Sequence, residues 1–262
     1  MSAELHFLGT SDSQGVPRWW CRCAVCQEAK TSGHNARRRP SVLLEGEDII
    51  LIDSAPELRL QLSAAAPPRL DAVLISHAHN DHIAGLGDLG DYAMRQRHPL
   101  HLFAPREVLP LLQARFPYLL RGGYPDYLHW HSLEDNPRRF AGYQLSAHRV
   151  PHGANGYAYA FRFDGSNGAW GYMSDCLDLL ELEPWYGLDL LVLGSSFFRE
   201  TKARHSRSVY DVHEALALLE RLQPRRSLLT HLSHGVDVRQ ALPAHRLAHC
   251  AYARDSLKVA LP

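Results

Sequence analysis

The sequence predicts an α/β fold in which two β-sheets pack face to face with helices on both outer surfaces, an αββα four-layer sandwich. Two strand-rich halves each end in alternating helices and strands, which is typical of such layered folds. An apolar run at 71–75 leads directly into a segment, 77–82, that holds three histidines and an aspartate. Polar side chains at strand ends are where α/β proteins place their sites. We expect a single domain over residues 1–262.

The first half of the chain alternates between strand and helix patterns. Apolar patterns predict strands at 5–9, 41–45, 49–52, 72–76 and 100–103. Helical periodicity predicts helices at 57–65 and 82–97. A further helix is expected at 106–116, because Pro105 suits a helix start, where a missing N–H costs nothing.

The second half begins with strands and ends with alternating elements. Strands are expected at 128–133, 143–150, 158–163, 168–174, 188–193 and 228–229. The Gly-rich segment 164–168 indicates a hairpin turn. A helix is expected at 208–222, with Ser208 as its N-cap and Asp211 bonding back. A final helix and a strand at 257–261 complete the prediction.

Composition limits the classes of partner. Lys and Arg number 28 and Asp and Glu number 28, so there is no global basic surface for non-specific nucleic-acid binding. The three arginines at 37–39 are interpreted as a solvated or substrate-facing loop. No apolar run approaches the ~18 residues that span a bilayer, and residues 1–4 lack the start of a signal peptide. We expect a cytoplasmic protein with no membrane partner and no stable nucleic-acid complex.

The segment at 77–82 reads His-Ala-His-Asn-Asp-His. Its three histidines and one aspartate are more metal-ligating side chains than a core tolerates without a metal. Imidazole and carboxylate ligands together suit zinc, manganese or iron. His77 and His79 alternate and point one way, whereas Asp81 and His82 can turn toward a second centre. The chain has 17 His, so a polar loop that is His-rich by chance is the alternative. The specificity of the pattern favours a metal site.

Three more candidate ligands follow apolar strands, where they can converge on one edge of a sandwich. They are His152, Asp175 and His231. An isolated histidine of this kind is usually structural, and the joint pattern is what favours a ligand role.

Cysteine usage indicates a second kind of metal site. Cys21, Cys23 and Cys26 are crowded together, and in a reducing compartment such crowding suggests metal binding more than disulfides. Redox-active thiols are the alternative. Cys176 and Cys250 are expected to be inert.

With these residues assembled, the chain resembles the metallo-β-lactamase superfamily over almost its whole length. Segment 77–82 is similar to the His-x-His-x-Asp-His signature, and the three downstream ligands match in order. The resemblance implies the metallo-β-lactamase fold and two divalent cations, zinc or manganese, in the active site. The implied ligands are His77, His79 and His152 for one metal, Asp81, His82 and His231 for the other, and Asp175 as a bridge.

The N-terminal loop resembles one branch of that superfamily more closely. Gln-Gly-Val-Pro at 14–17 and Cys-Arg-Cys-Ala-Val-Cys at 21–26 look like the branch of phosphoribosyl cyclic phosphate phosphodiesterase from the carbon–phosphorus lyase pathway. The branch implies a structural zinc here, held by Cys21, Cys23, Cys26 and His234. Such a closed tetrahedral site would fix a loop near 15–30 that lacks its own core. Relatives also imply a homodimer.

The expected reaction is hydrolysis of a phosphodiester. Two metals about 3.5–4 Å apart can share a hydroxide that attacks phosphorus in line. The leaving oxygen then needs a proton or a cation. The resemblance makes His205 the candidate for that role, beside Asp81 as a catalytic ligand, with Arg204 and Arg207 as phosphate contacts. A surface histidine in a polar loop is the alternative for His205.

The expected function is a dinuclear-metal phosphodiesterase for a small-molecule substrate, a cyclic phosphate or nucleotide-like diester, with phosphoribosyl cyclic phosphate as the best guess. A lactone or thioester hydrolase, a tRNA 3′-processing nuclease and a relative from pyrroloquinoline quinone biosynthesis are the alternatives. Carboxyl substrates need no phosphate grip, and the tRNA nucleases carry an extended arm that the sequence lacks. The quinone-pathway relatives lack much of the histidine signature, which is complete here.

Overall fold

The computed structural model describes residues 3–136 and 139–262, which form two seven-stranded sheets. Met1 and Ser2, part of the segment weighed above as a signal peptide, lie outside the described residues. No described helix has the length and apolar character needed to cross a membrane.

The first sheet collects strands from the N-terminal half and one from the C-terminus. Its strands are β1 (Glu4–Gly9), β2 (Ser41–Glu45), β3 (Ile49–Ile52), β4 (Ala72–Leu74), β5 (Leu100–Ala104), β6 (Leu128–Ser132) and β14 (Lys258–Ala260), in the order β14-β1-β2-β3-β4-β5-β6. Strands β3 to β6 run parallel. The helices of this half are α1 (Ala24–Thr31), α2 (Leu58–Ala65), α3 (Asn80–Ile83), α4 (Leu86–Gln96) and α5 (Leu109–Arg115).

The second sheet belongs to the C-terminal half. Its strands are β7 (Arg139–Phe140), β8 (Tyr143–Pro151), β9 (Tyr157–Asp164), β10 (Ala169–Met173), β11 (Leu190–Gly194), β12 (Arg226–Thr230) and β13 (Cys250–Tyr252), in the order β13-β12-β11-β10-β9-β8-β7. Strands β10 to β13 run parallel, and helix α6 (Val212–Leu222) lies between β11 and β12 in the chain.

Three apolar clusters fill the spaces between the layers. The central cluster joins the inner faces of both sheets and includes Ile50 and Ile52 from β3 and Trp170 and Tyr172 from β10. A second cluster packs α2, α4 and α5 on the first sheet, and a third packs α6 on the second sheet. This arrangement of helix, sheet, sheet and helix confirms the predicted αββα sandwich.

The single helix expected at 82–97 is two helices, because the chain bends at Gly85 between α3 and α4. The N–H of Gly85 donates to the carbonyl of Ser54 at 3.0 Å. A Cβ at this position would lie 2.6 Å from Oγ of Ser54 and 2.7 Å from the carbonyl oxygen of Ala55. The close approach of Ser54 and Ala55 to Gly85 therefore accounts for the break between α3 and α4.

Helix starts were predicted less accurately than strands. Helix α5 begins at Leu109 rather than 106, with Pro110 in its first turn. Helix α6 begins at Val212, where Asp211 and Glu214 form a capping box, so Asp211 and not Ser208 is the N-cap. The predicted final helix is wrong, since segment 234–249 has no helix. Pro243 disfavours helical geometry in the middle of that segment.

The arginine run at 37–39 is not a solvated loop. Arg37 is 4% exposed and donates to the carbonyl oxygens of Leu232 (3.3 Å), Ser233 (2.9 Å) and Val236 (3.1 Å). Burial lowers its pKa to about 10. The side chain thus fixes the segment that follows β12, because it supplies donors to three of its backbone carbonyls.

Candidate metal centre

The predicted ligands follow the ends of strands from both sheets. Residues 77–82 follow β4, whereas His152, Asp175 and His231 follow β8, β10 and β12. Strand β4 belongs to the parallel part of the first sheet, and β10 and β12 to that of the second. Their carboxyl ends meet at one edge of the sandwich, which is where α/β sheets form crevices.

The first group of ligand atoms comes from His77, His79 and His152. Nε2 of His77 lies 2.9 Å from Nδ1 of His79, and Nε2 of His152 lies 3.3 Å from the same Nδ1. All three ligand atoms lie within 4.8 Å of one another. Three imidazole nitrogens at this spacing can hold one divalent cation.

The second group comes from Asp81, His82 and His231, whose ligand atoms also lie within 4.8 Å of one another. Oδ2 of Asp81 lies 3.3 Å from Nε2 of His82 and 3.5 Å from Nε2 of His231. A carboxylate with two imidazoles is a mixed N/O set that suits zinc or manganese.

Asp175 lies between the two groups. Its Oδ2 is 3.1 Å from Nε2 of His82, and its Oδ1 is 3.5 Å from Nε2 of His152 and 3.3 Å from Nε2 of His231. The carboxylate therefore faces imidazoles of both groups, which is the position that a bridging ligand needs.

Several of these atoms have unmet polar demands. Nε2 of His82, Nε2 of His231 and Oδ2 of Asp175 are buried without a hydrogen-bond partner among the described residues. Each such atom costs about 1–3 kcal/mol unless something pairs with it. Divalent cations would pair with all three, so the side chains present fit a dinuclear centre.

The electrostatics of the centre agree with metal binding. Burial lowers the pKa of His77 well below its usual value and lowers the pKa of His79 and His152 too, which favours the neutral imidazole that binds metals. Burial opposes charge on His82 as well, but the surrounding carboxylates, Asp81 foremost, raise its pKa well above the usual value. A cation bound among those carboxylates would take over the role of that proton.

Asp53, which the sequence analysis did not identify, orients His82. Its side chain is wholly buried, and Oδ2 lies 2.6 Å from Nδ1 of His82. Ser76 donates its backbone N–H to Oδ1 at 2.8 Å and its hydroxyl to Oδ2 at 2.9 Å. The signal that could have revealed Asp53 is its place directly after β3, the parallel neighbour of β4.

Other candidate ligands have similar outer partners. Nδ1 of His152 lies 2.8 Å from the carbonyl oxygen of Ser208. Nδ1 of His77 lies 3.0 Å from the Ser76 hydroxyl, and Nδ1 of His231 lies 3.4 Å from the Ser196 hydroxyl. These contacts leave Nε2 of each ring directed at the centre, as is usual for metal-ligating histidines.

The three crowded cysteines meet His234, and we call these four residues the clip. Nδ1 of His234 lies 3.2 Å from Sγ of Cys21 and 3.6 Å from Sγ of both Cys23 and Cys26. All four ligand atoms lie within 4.8 Å of one another. Backbone N–H groups of Cys23, Cys26 and Arg18 point at Sγ of Cys21 (3.5 Å), Cys23 (3.4 Å) and Cys26 (3.4 Å), so the backbone supplies a donor to each sulfur. The donor set fits a closed zinc site.

A cavity of about 320 Å³ opens onto the centre. Its walls include His79, Asp81, His152, Asp175 and His231. Arg18, Lys202 and Arg207 supply basic side chains to the same walls. A space of this size suits a small molecule.

Of the residues predicted to contact phosphate or the leaving oxygen, the structure places Arg207 in the cavity wall. Arg207 is buried and ion-paired with Glu214, and its Nη1 lies 2.9 Å from Oε1 of that residue. His205 is exposed and does not line the cavity, although it lies two residues away on the same segment. Arg204 is also exposed and pairs with Asp178 and Glu214.

Gly153 allows the loop of His152 to pack closely against the backbone of Arg207. It has a φ of +53°, and a Cβ there would lie 2.0 Å from the carbonyl oxygen of Arg207. The next N–H, of Ala154, donates to that same oxygen at 2.8 Å. Only glycine allows this approach, which fixes a candidate ligand and a cavity arginine relative to each other.

All seven candidate ligands of the centre lie in the part of the chain, residues 49–232, that matches a family model described as a beta-lactamase superfamily domain. The chain belongs to the metallo-β-lactamase superfamily. This confirms the family predicted from the histidine signature.

Solved structures agree with that membership. A diphosphatase of the PhnP family has a TM-score of 0.83 and 26% identity, with 99% of this chain and 98% of that chain covered. Zn²⁺-bound PqqB from Methylobacterium extorquens has a TM-score of 0.81 and 18% identity, with 98% and 100% covered. Human tRNase Z, short form, has a TM-score of 0.71 and 16% identity, with 99% of each covered. The last two share the fold alone.

Curated relatives are longer than this chain. An octanoyltransferase of Porphyromonas gingivalis is 29% identical over 253 residues, which are 91% of this chain and 48% of that protein. Coenzyme PQQ synthesis protein B of Methylobacterium nodulans is 32% identical over 120 residues, 41% of this chain and 38% of that protein. The chain thus spans less than half of each.

Asp53→Asn is expected to lower the affinity of the centre for divalent metal by about 10- to 100-fold, because His82 loses its charged acceptor. Asparagine keeps the size of the side chain and tolerates the positive φ of 60° at this position. Metal content at buffered free zinc measures the change, with exposed Asp126→Asn as the matched control. An unaltered affinity would show that His82 does not depend on Asp53.

Cys23→Ser is expected to remove about one equivalent of zinc per chain and to lower the melting temperature, since a hydroxyl replaces one of three thiolate ligands. Elemental analysis of the purified chain gives the stoichiometry. Cys250→Ser, at a half-buried thiol outside the clip, is the control and should keep full zinc content. Equal zinc in both variants would argue against a structural zinc in the clip.

Proposed function

We propose that the protein is a dinuclear-metal phosphodiesterase that hydrolyses a small cyclic phosphate or nucleotide-like phosphodiester, with a phosphoribosyl cyclic phosphate as the best candidate. The observation that carries the proposal is the cavity, where two groups of metal-ligating side chains face the same space as three basic ones. The 26% identity to a PhnP-family diphosphatase over 99% of the chain supports phosphorus chemistry. Reduced thiols in the clip favour a cytoplasmic location.

The residues around the scissile bond would have separate roles in the reaction. Two divalent cations, zinc or manganese, would supply Lewis acidity and water activation at the seven candidate ligands. Arg207 presents a guanidinium whose orientation is fixed by Glu214, so it can bind phosphoryl oxygens as their charge grows. His205 is our proposed proton donor to the leaving oxygen, since a histidine can carry a proton at neutral pH.

An acyl thioester hydrolase is the second candidate, which the similarity to an octanoyltransferase favours. The cavity argues against it. Among the described residues that line it, Phe197 and Val209 are the apolar ones, and the others are polar or charged. An octanoyl chain gains its binding energy from apolar contact, which these walls supply poorly, whereas anions suit them.

A substrate panel on the metal-loaded protein tests the proposed function. The panel comprises a bis-aryl phosphate, 2′,3′-cyclic nucleotides, a cyclic ribosyl phosphate, a lactone, an octanoyl thioester and a precursor tRNA. We expect turnover of the phosphodiesters, with the cyclic ribosyl phosphate preferred, and none of the carboxyl substrates. Hydrolysis of the lactone or thioester alone would overturn the proposal, and cleavage of the tRNA alone would replace it with nuclease activity.

His205→Ala is expected to keep its metal content and to lose about 10²-fold or more in turnover on a diester with a poor leaving group. A diester with an activated aryl leaving group, which departs without a proton, should be affected much less. Arg207→Ala should slow both substrates, because it removes charge stabilisation rather than a proton. Exposed Arg221→Ala is the control, and Arg207→Lys separates charge from the geometry of the guanidinium.

Turnover of His205→Ala equal to that of the parent chain on the poor leaving group would remove His205 from the reaction. If Arg207→Ala alone then showed the loss, Arg207 would supply the cation at the leaving oxygen. Metal analysis of every variant excludes an indirect effect through the ligands.

A further inference from the structure

Arg18 is a cavity residue that belongs to neither group of candidate ligands. It lies three residues before Cys21, on the loop that carries the clip, and its side chain forms part of the cavity wall beside the metal centre. That side chain is 15% exposed, so it is held within the wall rather than extended into solvent. A loop that carries a metal clip therefore also delivers a positive charge to the active-site cavity.

The contacts of Arg18 fix its orientation without using all of its donors. Nη2 donates to Oδ2 of Asp12 at 2.6 Å, and Nη1 lies 2.8 Å from Nε2 of His234. Nε is buried and has no hydrogen-bond partner among the described residues. A guanidinium has five N–H donors, so this arrangement leaves donors without an acceptor in a place where an unmet donor is costly.

If the clip holds a metal, Nε2 of His234 cannot be the hydrogen-bond acceptor of Arg18. His234 turns Nδ1 toward the three thiols and Nε2 toward Arg18. A neutral imidazole that gives its Nδ1 lone pair to a metal keeps its proton on Nε2. Nε2 then cannot accept from Arg18, so Nη1 as well as Nε lacks an acceptor among the residues that the structure describes.

The surrounding wall is polar and suited to an anion. Ser13 and Gln14 have exposed side chains that line the cavity next to Arg18. Asp12 is itself held in place, because it accepts from the backbone N–H of Gln14 at 3.2 Å. Its role is to orient the guanidinium, whose free donors can pair with two oxygens of one phosphate.

We propose that Arg18 binds a second anionic group of the substrate, a terminal phosphate remote from the scissile bond, and so sets substrate specificity. Its side-chain partners are Asp12 and His234, and neither is a candidate ligand of the dinuclear centre. The inference rests on the proposed phosphodiesterase function, and it assigns to Arg18 the terminal phosphate of the best candidate substrate.

A matched pair of substrates tests this proposal, namely a cyclic ribosyl phosphate with and without the terminal phosphate. The parent protein should prefer the doubly phosphorylated substrate. In Arg18→Ala, kcat/KM for that substrate should fall by about 10- to 100-fold, mostly through KM, as expected for loss of charge-assisted hydrogen bonds. The substrate without the terminal phosphate should change by less than about 3-fold, because a remote contact adds nothing to it.

Arg22→Ala is the control variant, since Arg22 is exposed on the same loop and does not line the cavity. It makes the same change of charge and should behave like the parent. Arg18→Lys keeps the charge without the planar fork and should fall between parent and Arg18→Ala. The zinc content of each variant shows whether the clip is intact. If Arg18→Ala has lost the clip zinc, Arg18→Lys is compared with the parent in its place.

A binding measurement separates failure of this proposal from failure of the proposed function. The dissociation constant of ribose 5-phosphate, with ribose as reference, is measured on the metal-loaded parent and on each variant. We expect about 10-fold or more weaker binding of ribose 5-phosphate in Arg18→Ala. If no diester is turned over but this loss occurs, the phosphodiesterase function fails and the Arg18 site stands.

Two results would overturn the Arg18 proposal. One is unchanged ribose 5-phosphate binding in Arg18→Ala with its metals intact. The other is an equal loss of kcat/KM for both members of the substrate pair, which would mean that Arg18 acts through the structure of the loop or at the reacting phosphorus.

Discussion

The structure depends on the burial of polar ligand atoms, three of which have no hydrogen-bond partner among the described residues. Residues 77–82 come from the first sheet, whereas His152, Asp175 and His231 come from the second, and their polar atoms face one another across the line where the sheets meet. Such atoms cannot be left unpaired in a low-dielectric interior without a large penalty. Cations at this edge would therefore satisfy the ligands and hold the two sheets together at the point where the apolar core ends.

The clip and the dinuclear centre share one short segment of chain. His231, directly after β12, is a candidate ligand of the centre, and His234 joins the clip three residues later. Arg37 donates to backbone carbonyls of the same segment. These hydrogen bonds hold in place the backbone that carries a candidate ligand of each site. Position in one of these sites consequently sets position in the other. The clip does more than hold a loop in place, because Arg18 on that loop lines the cavity beside the candidate metal centre.

The sequence analysis identified those features whose signal lies within a short stretch of chain. Strand-end placement identified the seven candidate ligands, and the crowded thiols identified the clip, because both signals lie within a few residues of each other or of an apolar run. What it missed depends on contacts between distant segments. Asp53 acts on His82 across neighbouring strands, Gly85 breaks a periodic helix because Ser54 approaches it, and Arg37 is buried by carbonyls almost 200 residues away in sequence. His205 was proposed from its position in a motif, and position alone did not fix where its side chain points.

Strand β14 closes the first sheet from the other end of the chain, by pairing antiparallel with β1. The candidate ligands are also far apart in sequence, and the last of them follow β12. A chain emerging from the ribosome therefore exposes its first ligands and the open edge of β1 for most of its synthesis, before their partners exist. Contacts of such sequence separation form slowly, and unpaired edges are prone to aggregation. The complete set of candidate ligands can thus assemble only after residue 234 has been synthesised, late in the formation of the fold.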